Sequence, residues 1–93
     1  MKQKIINSSG NVFEDLGFSA EEASLLAMRA ELMACLRETV ERNRWTQNEA
    51  ANVLGISQSR VSDLITGKYE KFSLDMLITL TTRTGKKVSL AVA

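Results

Sequence analysis

Residues 46–67 read TQNEAANVLGISQSRVSDLITG, and their apolar spacing predicts two short helices joined by a tight turn. Gly55 stands where the chain must turn, because only glycine enters positive φ without a steric penalty. Ala51 is small enough to let the two helices cross closely. The apolar positions are Ala50, Ala51, Leu54, Ile56, Val61, Leu64 and Ile65.

The second predicted helix carries a polar face. Ser57 is suited to cap its first turn, because a serine hydroxyl accepts from a free backbone N–H group there. Short polar side chains then occupy the outward positions, and such a face suits a helix that lies in the major groove of DNA. These positions are Gln58, Ser59, Arg60, Ser62 and Asp63.

Two capping boxes mark helix starts upstream. Residues 19–22 read SAEE and residues 46–49 read TQNE, so a hydroxyl and a glutamate can each satisfy a free N–H group. The first box predicts a long helix over residues 20–44. The second opens the first helix of the pair, which ends at Leu54.

Signals after Gly55 predict the second helix of the pair, one further helix and a strand. The second helix of the pair is predicted over residues 58–66, and Ser73 opens a further helix that Gly85 ends. Residues 87–92, KVSLAV, are apolar at alternate positions, which predicts a β-strand. A lone strand needs a partner, either residues 3–6 or a second chain.

The long helix carries two apolar stripes. The first predicts a core-facing side, and the second faces either the same core or a partner subunit. The first stripe is Leu25, Met28, Leu32, Leu36 and Val40; the second is Leu26, Ala30 and Met33.

Size and charge limit the class of protein. A chain of 93 residues with 44% hydrophobic residues predicts one small domain. The net charge is +1, but residues 1–50 carry −2 and residues 51–93 carry +3, and phosphate binding depends on local charge. The basic residues of the second half are Arg60, Lys68, Lys71, Arg83, Lys86 and Lys87; the last three fit ordinary solvated side chains equally well.

The composition argues against catalysis. The chain has no histidine and one cysteine, so it cannot form a Ser-His-Asp triad, a His-containing metal site or an internal disulfide. Cys35 fits a small core residue. We therefore expect no catalytic residue, no metal and no cofactor. The absence of a long apolar run predicts a cytoplasmic protein without membrane contact.

The helix pair resembles a known family. Gln47, Ala51, Gly55, Val61 and Leu64 are similar to the helix-turn-helix pattern of Cro/C1-type (XRE-like) regulators, over about a quarter of the chain. The resemblance implies an all-α, five-helix-type lambda-repressor-like DNA-binding domain, here with a short C-terminal β-strand. The flanks SGNVFEDLGFSAEEA and FSLDMLITLTTRTGKKVSLAV resemble a subgroup of HigA-like antitoxins, which implies a dimer that represses its own operon.

The resemblance implies a role for each residue of the DNA-reading surface. Gln47 would clamp a phosphate and brace the second helix, while Gln58 would read a base by bidentate pairing with adenine N6 and N7. Ser59 would contact a second base, and Arg60 a guanine or a phosphate. Ser57 is mainly the cap.

The end of the second helix is less uniform. Asp63, one turn on with Ser62, would either accept from cytosine N4 or repel the DNA backbone. Thr66, Lys68 and Tyr69 would lie beside phosphate.

These predictions divide the chain into an N-terminal arm (1–18), a helix-turn-helix DNA-binding domain (19–86) and a C-terminal strand for possible dimerisation (87–93). The expected partners are double-stranded DNA with a palindromic operator, a second copy of the chain and a RelE/HigB-type toxin. The alternatives are a protein-interaction module with little DNA binding and a stand-alone phage-type repressor. The apolar side chains of the arm either dock in a toxin groove or cap the domain's own core; they are Val12, Phe13, Leu16 and Phe18.

Overall fold

A computed structural model of the chain describes residues 12–92, which form five α-helices and one short 3₁₀ helix. The long helix α2 (Ala20–Asn43) packs against α4 (Gln58–Ile65) and α5 (Leu74–Arg83), and α3 (Gln47–Leu54) packs against α4 as a helix pair. Residues 1–11 of the predicted N-terminal arm (1–18) lie outside the described residues. The helices are α1 (Val12–Asp15), α2 (Ala20–Asn43), α3 (Gln47–Leu54), α4 (Gln58–Ile65), the 3₁₀ helix (Tyr69–Lys71) and α5 (Leu74–Arg83).

The helix starts agree with the capping signals. The Ser19 hydroxyl accepts from the Glu22 N–H at 3.1 Å, and the Glu22 carboxylate accepts from the Ser19 N–H at 3.3 Å. Thr46 and Glu49 make the same reciprocal pair at 3.1 and 2.8 Å. Ser73 caps α5. Both predicted capping boxes are therefore confirmed, and each removes free N–H groups from a helix start.

The end of α2 uses a left-handed residue that is not glycine. Arg44 has φ 55°, and the following Trp45 N–H donates to the Val40 carbonyl at 3.1 Å. This Schellman-type end turns the chain directly into α3. Trp45 lies half-buried at that junction and packs against the buried cluster that contains Val40, Ala50, Ala51 and Val61.

The core consists of two apolar clusters. One joins α2, α3, α4 and α5 around Leu36, and the other fills the crossing of α3 and α4 with small residues. The first contains Met33, Leu36, Leu54, Leu64, Phe72, Leu77 and Leu80. The second contains Val40, Ala50, Ala51 and Val61.

The prediction for the α2 stripes was partly wrong. Leu36 and Val40 are buried as predicted, and Met33, only 2% exposed, agrees with the core-facing alternative for the second stripe. Leu25 of the first stripe is 45% exposed. It lies about 16 Å along the helix from Leu36, in a stretch where no residue from 24 to 32 is fully buried. Position along α2 therefore decides burial as much as the side of the helix does.

The predicted C-terminal strand is not observed. Residues 86–92 have no regular secondary structure, and no described segment forms a strand beside them. A strand needs a hydrogen-bonded neighbour, and the proposed intrachain neighbour, residues 3–6, lies outside residues 12–92. Leu90 and Val92 are 82% and 86% exposed, so the alternating apolar side chains project from the domain.

The segment of residues 12–18 begins with α1, a single turn of helix (Val12–Asp15), and continues without helix to residue 18. Phe13 is half-buried, and its ring meets Phe18 and Tyr69 edge-on at centroid distances of 6.3 and 5.9 Å. Val12 and Leu16 are 59% and 70% exposed. The segment thus covers part of the domain with Phe13 and leaves most of its other apolar surface open.

Candidate nucleic-acid interface

The turn between α3 and α4 requires a glycine. Gly55 has φ +71°, and the Ala51 carbonyl accepts from both the Gly55 and Ile56 N–H groups, at 2.8 and 3.1 Å. A Cβ at position 55 would lie 3.1 Å from Nη1 of Arg83. Backbone conformation and close approach therefore both favour glycine here.

Two arginines from outside the helix pair hold the ends of its helices. Arg83 on α5 donates to the Leu54 carbonyl of α3 at 2.7 Å, and Arg37 on α2 donates to the Ile65 carbonyl of α4 at 3.4 Å. A guanidinium at a helix C-terminus satisfies a free carbonyl and opposes the negative end of the helix dipole. The pair is thereby fixed to the rest of the domain on both sides.

The exposed start of α4 presents hydrogen-bonding side chains. Gln58 and Ser59 are exposed there, and the Ser57 hydroxyl caps the helix by accepting from the Arg60 N–H at 3.2 Å. The Gln58 amide donates to Oδ1 of Asn48 on α3 at 3.1 Å. The starts of α3 and α4 therefore lie together, which brings the predicted reading residues to one exposed end of the helix pair.

Asn48 was missed in the sequence. In the sequence Asn48 is only an internal position of the capping box, and its ten-residue separation from Gln58 follows no helical period. Gln47, predicted to brace α4, is exposed at the first position of α3. The described bracing contact to Gln58 comes from Asn48. Gln47 stays suited to a phosphate, because the first turn of a helix attracts anions.

Arg60 lies against the domain. Its guanidinium carbon stands 4.7 Å from the centroid of the buried Phe72 ring, and Arg60 is half-buried. This cation–π contact directs Arg60 toward the segment after α4. Its predicted contact with a guanine or a phosphate would require the guanidinium to leave the ring.

Asp63 forms ion pairs that the sequence did not predict. Its carboxylate lies 3.6 Å from Nζ of Lys68 and 3.9 Å from Nζ of Lys71. The Asp63 side chain is 17% exposed, whereas both lysines are about half exposed. Lys71 was not among the predicted site residues. Lys68 directly precedes the 3₁₀ helix, and its carbonyl accepts from the Lys71 N–H at 3.1 Å, so this turn brings both lysines to the same carboxylate.

The remaining predicted residues lie around the end of α4. The Thr66 hydroxyl donates to the Ser62 carbonyl at 2.8 Å, so its proton is directed to its own helix rather than outward. Ser62 is half-buried. Tyr69 is half-buried too, with its ring against Phe13.

The basic residues of the second half do not form one surface. Lys86 donates to the Thr39 hydroxyl at 2.7 Å, and Arg83 holds the end of α3. These two cations have structural contacts with the domain. The described cations on or closest in sequence to α4, the predicted DNA-reading helix, are Arg60, Lys68 and Lys71.

Replacing Asp63 separates its two possible roles. We expect Asp63→Asn to leave the base preference unchanged and to strengthen binding to all duplexes about twofold. A unit charge about 10 Å from a phosphate contributes about 0.4 kcal/mol in water. Fluorescence anisotropy with duplexes that differ at single base pairs measures both effects. Glu70→Gln, at an exposed acid of the 3₁₀ helix, is the control. Lost preference for one C·G pair would instead make Asp63 a base reader.

Comparison with known proteins agrees with this geometry. A family model described as a helix-turn-helix domain matches residues 12–93, which is most of the chain. None of the helices within residues 12–92 has the length and hydropathy of a membrane span. Curated proteins gave no match to the chain. The family match and the α3–α4 pair with its exposed polar start place the chain in one class: it belongs to this helix-turn-helix domain family.

Proposed function

We propose that the chain is a sequence-specific DNA-binding repressor that acts as a dimer on a palindromic operator in the cytoplasm, by binding and without catalysis. The observation that carries this proposal is the exposed start of α4, where Gln58 and Ser59 lie. The Ser57 hydroxyl caps this start, and Arg37 holds the other end of the helix through the Ile65 carbonyl. Base reading requires hydrogen-bonding groups held on a rigid element.

The surroundings of α4 supply the phosphate contacts. The start of α3, with Gln47, favours an anion on one side. Lys68 and Lys71 follow α4 on the other side. With α4 in the major groove, both would lie beside the DNA backbone, where contacts set the register rather than the sequence.

Two substitutions separate reading from anchoring. Gln58→Ala should cost about 1–3 kcal/mol on the preferred site and relax the preference at one base pair, because it removes a bidentate contact. Lys68→Ala should weaken all sequences similarly and lower the salt slope by about one. Gel shifts with DNA upstream of the chain's own reading frame, repeated over a series of salt concentrations, measure both.

Glu70→Ala is a matched control for the second substitution, because it removes an exposed side chain of the 3₁₀ helix that directly follows Lys68. Unchanged operator binding by Gln58→Ala would contradict the assignment of α4 as the reading helix.

The C-terminal segment supports the dimer. Leu90 and Val92 alternate and are almost fully exposed in the single chain. Pairing of residues 87–92 with the same residues of a second copy would bury these side chains and satisfy backbone groups across a two-fold axis. To bind a palindromic operator, such a dimer would have to present its two α4 helices about 34 Å apart, the spacing of successive major grooves.

A charge placed in the segment tests this interface. We expect the unchanged chain to sediment as a dimer at micromolar concentration and Leu90→Lys to sediment as a monomer, since the lysine opposes burial of the strand. Ile78→Lys on α5, which is also exposed in the single chain, should remain dimeric. A monomeric unchanged chain would refute the dimer.

An antitoxin role is the second proposed function. Val12, Leu16 and Phe18 are 40–70% exposed, and residues 12–25 carry four acidic groups and no basic one. An acidic surface with exposed apolar side chains fits a small basic partner, as a RelE/HigB-type toxin would be. The two roles are compatible, because the predicted reading residues on α3 and α4 lie outside residues 12–25.

The partner would be encoded beside this chain. When the product of a neighbouring small reading frame is co-expressed with the chain, the two should co-purify. Leu16→Glu should abolish the co-purification by placing a charge in the apolar contact, while Val53→Glu, at an exposed apolar residue of α3, should not. Retained binding by Leu16→Glu would exclude residues 12–18 as the docking surface.

A further inference from the structure

The N-terminal half of α2 extends beyond the part of the helix that the core covers. Leu25, Arg29 and Leu36 lie on one side of α2, since separations of four, seven and eleven residues each return to nearly the same direction on a helix. Leu36 is 1% exposed within the core, whereas Leu25 is 45% exposed. The core-facing side of α2 therefore continues toward the helix start as a partly uncovered surface.

Arg29 on this surface lacks a partner within the described part of the chain. It is half-buried, and its Nε is shielded from solvent without a hydrogen-bond acceptor. The ion pairs found within residues 12–92 do not include Arg29. A shielded N–H group without an acceptor costs free energy, and a carboxylate brought to the guanidinium would remove that cost. Arg29 therefore marks this surface as suited to an acidic group.

A second copy of the chain carries such a group at the matching place. Glu21 is exposed in the first turn of α2, and the ion pairs within residues 12–92 do not include it. Glu21 lies four residues before Leu25, and Arg29 lies four residues after it. In an antiparallel pair of α2 helices with a two-fold axis at Leu25, residues equally far before and after Leu25 face each other. Glu21 of each copy would then face Arg29 of the other, and the two Leu25 side chains would meet on the axis.

We infer that the α2 face formed by Glu21, Leu25 and Arg29 docks the same face of a second copy. The charges set the antiparallel direction, because a parallel two-fold pair would place like charges together. The face spans about 12 Å of helix, so it buries much less than the roughly 1,200 Å² of a stable interface. The contact is therefore weak in solution, and it is separate from the dimer proposed through residues 87–92.

The consequence is an attraction between neighbouring copies on DNA. Chains held on adjacent operators have a high effective concentration for each other, so a weak contact raises the occupancy of both sites. This consequence rests on the DNA-binding function proposed above, whereas the docking of two α2 faces does not.

Cross-linking on the two-fold axis tests the docking directly. In the full chain with Cys35→Ala, so that no other thiol remains, Leu25→Cys should form an intermolecular disulfide under mild oxidation. Val53→Cys, at an exposed apolar residue of α3, is the matched control. It should cross-link at least about tenfold more slowly, because only random collision brings its thiols together. Equal rates for the two chains would overturn the inference and leave the α2 face to a different partner.

Exchanging the charges tests the direction of the pair. In the chain with Leu25→Cys and Cys35→Ala, either Arg29→Glu or Glu21→Arg should slow the cross-linking about fivefold or more, because both symmetry-related attractions become repulsions. The two substitutions together exchange the charges and should restore the rate, which also shows that neither acts by unfolding the chain. If the double variant stays as slow as the single ones, Glu21 does not face Arg29 and the inference is overturned.

Two further measurements separate the inference from the proposed functions. Leu90→Lys should leave the Leu25→Cys rate unchanged, and a loss would overturn the α2 face as a separate interface. On a duplex with two adjacent operators, Arg29→Glu should reduce cooperative binding without changing the affinity for a single operator, and retained cooperativity would overturn the consequence for DNA. A chain that binds no operator would refute the DNA-binding function, while the cross-link would still decide the docking.

Discussion

The close crossing of α3 and α4 is the constraint on which the rest of the structure depends. Small Ala50 and Ala51 on α3 meet Val61 on α4, and all three are buried. Because a larger side chain at either alanine would force the helices apart, the sequence fixes their separation through volume. The left-handed Gly55 then closes the connection. A distance between two exposed side chains, Asn48 and Gln58, is thus set by buried ones.

The close crossing of α3 and α4 would not fix their position in the domain if the pair moved as a unit against the remaining helices. Arg37 and Arg83 restrain such movement, since each reaches from a flanking helix to the last carbonyls of one helix of the pair. These contacts also show that the positions of charged residues in the sequence do not by themselves locate the candidate nucleic-acid interface. Arg83 belongs to the scaffold, whereas acidic Asp63 lies beside two lysines close to the reading helix. An acid in that place holds cations as readily as it repels phosphate.

Local signals explain what the sequence could predict. The capping serines and threonine, Gly55 and the apolar spacing of the helix pair act within a few residues, and these elements formed within a residue or two of the predicted bounds. The missed features depend on contacts across the fold. Arg37 and Ile65 are 28 residues apart, and Arg83 and Leu54 are 29 apart. Asn48 was missed because the turn, rather than any period, brings it to Gln58. The predicted C-terminal strand is not observed, because alternating apolar residues indicate a tendency to pair but do not provide a neighbouring strand.

Within residues 12–92, several basic side chains of the second half of the chain are engaged by the protein itself, which bears on why the proposed repressor would act as two copies. Lys86 and Arg83 are engaged in the scaffold, and Asp63 offsets part of the charge of Lys68 and Lys71. One copy of the proposed repressor would therefore make few phosphate contacts, and non-specific affinity rises with their number. In the proposed dimer the second contact would be intramolecular, so the affinity for a two-site operator could exceed that for one site by about 10²–10⁴. Weak anchoring by each copy would then favour specificity, because a single half-site elsewhere in the DNA would hold the protein poorly.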